Sequence, residues 1–142
     1  MSEVQGLMSE TNEKPEVPKK SIEQVARETG RYDVQAYYFL FETLEWLMGR
    51  LDERRHVSGA ELSQAVRDLA VERFGMLAGG VMRSWGVNST SDFGRMVYDL
   101  IEAGQMSRTE EDDIHDFDAV FDFEKAFATY EIPGQPKDEG KN

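Results

Sequence analysis

The sequence predicts a mainly α-helical fold of about five helices followed by a C-terminal β-hairpin, and three observations carry that expectation. Apolar residues recur at helical spacing in five stretches between positions 21 and 104, most of them framed by a capping residue and a glycine. After Gly104 the period shifts towards alternation, as in FDAVFDF at 117–123. The ends, 1–20 and 131–142, carry Pro15, Pro18, Pro133 and Pro136 among polar residues without apolar periodicity. They read as disordered tails on a single domain over 21–130.

The first helix starts at Ser21, presents Ile22, Val25 and Ala26 on one face, and stops at Gly30. Asp33 caps a second helix from Val34 to about Leu51. Tyr37, Tyr38, Leu40, Phe41, Leu44, Trp46, Leu47 and Met48 make it apolar over most of its circumference, which places it centrally. Ser58 and Glu61 form an S-x-x-E capping box for a third helix that faces inward with Leu62, Ala65, Val66, Leu69, Ala70 and Phe74. A break at Gly75 leads to a fourth with Met76, Leu77, Val81, Met82 and Trp85, closed by Gly86. Gly75, Gly79 and Gly80 suit close helix approach; no P-loop Lys-Ser/Thr pair follows them. After the polar turn at 88–91, a fifth helix over 92–103 turns Phe93, Met96, Val97, Leu100 and Ile101 inward and ends at Gly104. Residues 105–107 and 117–123 then read as strands around an acidic turn, with a short terminal helix holding Ala126 and Phe127.

Helix, turn, helix and hairpin make a winged-helix-like outline, with 92–103 as reader and 105–123 as wing. The charges oppose DNA there. The reader exposes Asp92, Asp99 and Glu102 against Arg95 alone, and the wing carries Glu110, Glu111, Asp112, Asp113, Asp116, Asp118 and Asp122. Phosphates require the opposite sign. A winged-helix-like domain for protein contact fits better.

The 142 residues carry a net charge of −12, unevenly spread. Residues 110–142 hold eleven acids and three bases, −8, whereas 21–109 hold thirteen acids and ten bases, −3. All ten of those bases are Arg, which suits bridging between helices. Cys is absent, so thiol catalysis, zinc–thiolate sites and iron–sulfur clusters are excluded. The longest apolar segment, 36–48, is interrupted by Glu42 and Glu45, so no membrane association is expected and the cytoplasm is the expected location.

Two clusters are candidate binding residues. Arg50, Arg54, Arg55 and His56 stand at the end of the second helix, where cations suit the macrodipole and an anion or nucleic-acid contact is the functional alternative. Glu110, Glu111, Asp112, Asp113 and Asp116 are the candidate partner-binding carboxylates. As a calcium loop the acidic run fails: starting from Asp116, Phe121 takes the place that needs Gly and Phe127 the closing ligand position. His56 and His115 are too far apart for a helical metal pair, and neither H-E-x-x-H nor G-x-S-x-G is present. No catalytic residue, metal site or cofactor is expected.

Several blocks are distinctive: AYYFLFETLEWL at 36–47, HVSGAEL at 56–62, LAVERFGMLAGGVMRSWGV at 69–87, TSDFGRMVYDLIEAGQMSRTEEDD at 90–113 and DFDAVFDFEKAF at 116–127. Their combination resembles a family of small proteins found mainly in Planctomycetes and Verrucomicrobia. The resemblance implies a bacterial, intracellular protein and brings no activity or catalytic residue. The leading expectation is a non-enzymatic protein-interaction or regulatory module. A nucleic-acid-associated protein is the second, and an enzyme with carboxylate-bound Mg²⁺ or Mn²⁺ the third.

Overall fold

The computed structural model describes residues 19–108 and 112–127. They form α1 (Ile22–Thr29), α2 (Val34–Gly49), α3 (Gly59–Phe74), a 3₁₀ turn (Gly75–Leu77), α4 (Ala78–Ser84), α5 (Thr90–Glu102), a second 3₁₀ turn (Ile114–Phe117) and α6 (Phe123–Phe127). Among the described residues no helix is long and apolar enough to cross a membrane. Of the tails expected at 1–20 and 131–142, residues 1–18 and 131–142 lie outside the described residues, whereas Lys19 and Lys20 are described. Lys19 and Lys20 both donate backbone N–H groups to the Ala103 carbonyl, at 2.8 and 3.2 Å, which fastens the start of the domain to the end of α5.

Local caps set most helix boundaries. Ser21 Oγ accepts from the Gln24 amide at 3.0 Å, and Gly30 closes α1 at φ 67°. Asp33 Oδ1 accepts from the Gln35 amide at 2.9 Å. The Ser58–Glu61 box forms in both directions, at 3.0 and 3.1 Å. α5 begins before the expected Asp92, because Asp92 Oδ2 accepts the amides of Asn88 at 2.8 Å and Ser89 at 3.1 Å. A carboxylate inside the first turn satisfies donors that the helix leaves open, and it suits the positive end of the dipole.

The core is filled from α2, α3, α4 and α5, with Tyr37, Leu40, Leu62, Leu69, Met82, Phe93, Met96 and Leu100 fully buried. Gly86 locks the α4–α5 corner onto the α1–α2 linker. It sits at φ 92°, and a Cβ there would lie 2.4 Å from the Arg31 carbonyl oxygen. The Asp33 amide donates to the Trp85 carbonyl at 3.0 Å beside it.

The hairpin expected over 105–123 does not form in its described part. Among the described residues there is no strand, and the segment instead makes the second 3₁₀ turn and leads into α6. Asp113 Oδ1 accepts from the His115 amide at 2.9 Å, and Asp122 Oδ1 from the amides of Glu124 and Lys125 at 2.9 and 3.2 Å. Such local side-chain bonds compete with strand pairing and commit the backbone to turns. The apolar residues also find a better use than one sheet face. Phe117 wedges between α3 and α5, where a Cβ on Gly59 would lie 2.9 Å from its ring and one on Gly94 3.0 Å from its Cβ. Phe121, Phe123 and Phe127 cluster with ring centroids 5.1–6.2 Å apart. Without a hairpin there, the winged-helix outline loses its wing.

Candidate functional site

The ion pairs between α2 and α3 define how the two helices run. Glu42 of α2 meets Arg73 in the last turn of α3 at 2.5 Å. Arg55, just past α2, meets Glu61 in the first turn of α3 at 2.8 Å. The helices are therefore antiparallel, and between these two pairs they leave an open groove of about 450 Å³. Trp46, Leu47, Leu51 and Ala65 supply its apolar surface, and Arg50, Arg55, Glu61, Gln64, Asp68 and Glu72 its polar rim.

Trp46, Leu47 and Leu51 are each only half-buried. The Arg50 guanidinium carbon lies 4.5 Å from the centroid of the Trp46 ring. Spacing of i, i+4 puts both on one helix face, and the contact is worth about 0.5–1 kcal/mol at an exposed site. It also restricts both side chains before anything binds. Arg55 grips Glu61 with two hydrogen bonds, at 3.1 and 2.8 Å. That grip, helped by the Ser58 amide and opposed by burial, holds the Glu61 carboxyl down to about 2.

The expected basic cluster is thus distributed among separate partners. Arg50 covers Trp46, Arg55 pairs with Glu61 and donates to the His56 carbonyl at 2.7 Å, and His56 Nε2 stands 4.0 Å from Asp112 Oδ1. Arg54 is exposed and has no ion-pair partner among the described residues. Glu110 and Glu111 lie outside the described residues. Asp112 is buried, at 4% exposure, and Asp113 is occupied as a cap. Asp116 is exposed, with its Cβ next to Gly59. The structure therefore brings the acidic run and the basic cluster together at His56 and Asp112.

Around that junction several buried polar atoms have no hydrogen-bond partner: Tyr98 OH, Ser107 Oγ and His56 Nδ1. Arg108 lies 5.4 Å over the Tyr98 ring and donates to the Asp112 carbonyl at 2.9 Å. Burial pushes the Tyr98 hydroxyl up, and Arg108 opposes it. Because Ser107 Oγ and His56 Nδ1 are both unpartnered, no nucleophile–base pair is made here. Among the described residues no group of three His, Asp or Glu stands together as a metal site.

Asp92 and Asp99, expected on the exposed face of a reading helix, turn inward instead. Tyr32 OH and Arg95 donate to Asp92 Oδ1 at 2.5 and 2.7 Å. Burial, followed by the bond to Asp92, pushes the Tyr32 hydroxyl up to about 12. Asp99 accepts from Tyr37 OH at 2.9 Å and from Arg31 at 3.1 and 3.2 Å, and burial raises its carboxyl. Both carboxylates tie α5 to the α1–α2 linker, which is a structural use. Beside Asp99 lies another cleft, of about 340 Å³. Lys20 and Glu28 in its wall already pair with each other at 2.6 Å.

The groove between α2 and α3 was the feature not picked out from sequence. Its readable trace is Trp46 followed four residues later by Arg50 at the end of an apolar helix. No protein-family model, curated protein or solved structure matches the chain.

Proposed function

We propose that this chain is a non-enzymatic, cytoplasmic protein-interaction module and that the α2–α3 groove is its docking surface. The observation that supports this reading is the half-buried Trp46 held under Arg50 in an open groove between two ion pairs. Trp and Arg dominate binding hot spots because they combine a large contact area with directed polarity, and fixing them beforehand lowers the cost of association. The half-buried apolar surface of Leu47 and Leu51 adjoins them and leaves water when the groove is covered.

The acidic stretch is the less favoured partner surface, since Asp112 is buried and Asp113 caps a turn. Nucleic-acid binding is less favoured too, because Arg55 is paired with Glu61 and the groove rim also carries Asp68 and Glu72, whose charge repels phosphates. The test is affinity capture from host lysate treated with nuclease, comparing the natural chain with Trp46→Ala and with Asp113→Ala/Asp116→Ala. The reading expects a stoichiometric protein partner that Trp46→Ala loses while its circular dichroism is unchanged. Capture unaffected by Trp46→Ala, or capture of nucleic acid that nuclease abolishes, would overturn it.

A further inference from the structure

We infer that the groove takes one amphipathic helix of the partner, with an acidic side chain against Arg50 and a basic side chain against Glu72. This rests on the docking reading above and adds the occupant's secondary structure and charge pattern.

The backbone argument selects a helix. Both walls of the groove are helices, whose N–H and C=O groups are bonded within themselves. An extended segment laid there would find no backbone partners, and its own amides would lose water without replacement. A helix satisfies its backbone internally and needs only side-chain contact. The dimensions agree. From Glu61 to Glu72 the α3 wall runs for about 16 Å, three helical turns, at about 1.5 Å per residue. Ala65, the small side chain midway along that wall, leaves depth for a ridge of the incoming helix beside Leu47 and Leu51.

The charges select the pattern. Arg55 is neutralised by Glu61, and Asp68 by Arg67 at 2.9 Å. Arg50 and Glu72 line the groove with no ion-pair partner among the described residues. Counting turns antiparallel from the Glu42–Arg73 pair brings Arg50 level with Ala65. Glu72 then lies about two turns, roughly 10 Å, further along α3. An occupant with an acid and a base about seven residues apart on its apolar stripe pairs both.

The experiment is calorimetric titration of the full chain with three stapled helices that differ at two positions seven residues apart. Those positions hold Glu and Lys, Lys and Lys, or Glu and Glu, beside one leucine stripe. The Glu/Lys helix is expected to bind about fivefold tighter than either like-charged helix, the scale of one exposed ion pair gained or lost. In Arg50→Glu the Lys/Lys helix becomes the tightest. No binding by any of the three overturns the inference. Binding lost in Trp46→Ala but indifferent to charge would overturn only the charge pattern. Binding that Trp46→Ala leaves intact would remove the groove as the docking surface.

Discussion

The two sides of α3 are finished in opposite ways. Towards α5, Gly59 leaves a gap that the Phe117 ring fills completely, and Phe117 has no exposed surface. Towards α2, Gln64, Asp68 and Glu72 stand around a groove floored by apolar side chains that are only half covered. One helix thus carries a jammed face, where each atom is fixed by its neighbours, and an open one, where ordered side chains wait without a cover. The jammed face should govern stability and the open face recognition.

The largest effect that can break this contrast is on the jammed side. Phe117→Ala should cost about 3–5 kcal/mol, read by denaturant unfolding, because the ring leaves a cavity between two rigid helices. Next is Gly94→Ala in α5. Ala is the better helix former by up to about 1 kcal/mol, yet a Cβ at this position meets Phe117 at 3.0 Å. Overpacking of roughly 1–3 kcal/mol should win and lower the melting temperature. A stabilised Gly94→Ala would show that Phe117 gives way and that the face is not jammed.

On the open side the order of effects reverses. Arg50→Ala should change stability by less than about 1 kcal/mol, since it loses one exposed cation–π contact. It should nevertheless weaken capture of the partner several-fold. A loss of stability comparable with that of Phe117→Ala would place Arg50 in the fold rather than in recognition.

The smallest effects are those of pH. The folded Glu61 carboxyl lies near 2, below its ordinary 4.5. Its contribution is therefore fully present above about pH 4.5 and is lost as pH falls towards 2. The side chain is 42% exposed, so the loss should stay under about 1 kcal/mol, and Glu61→Gln should flatten that part of the acid-unfolding curve. Asp99 acts with the opposite sign. Burial raises its carboxyl, so proton uptake there favours the folded state as pH falls towards the ordinary carboxylate value. Asp99→Asn should remove this small gain on acidification.

The helical part of the fold was legible because its signals are local. Ser21, Asp33 and the Ser58–Glu61 box cap the helices they were expected to cap, and Gly30 and Gly104 close theirs with positive φ. The hairpin was misread because FDAVFDF has strand-like alternation. What decides the matter is the gap left by Gly59 and Gly94, two glycines remote from that segment in sequence, together with the caps Asp113 and Asp122. Asp92 and Asp99 were misplaced for a similar reason, since Tyr32, Tyr37 and Arg31 reach them from the distant α1–α2 region. The groove depends on how α2 and α3 are spaced, which no local pattern records. Of the candidate residues, Arg50 and Arg55 do line it, although their pairing with Trp46 and Glu61 appears only in three dimensions.

Hydrogen exchange read by mass spectrometry, on the chain alone and in its captured complex, tests the docking surface most directly. Binding should slow exchange over 44–51 and 61–72 and leave 112–124 unchanged. Protection confined to 112–124, with 44–51 and 61–72 exchanging as before, would move recognition to the acidic stretch and contradict the groove.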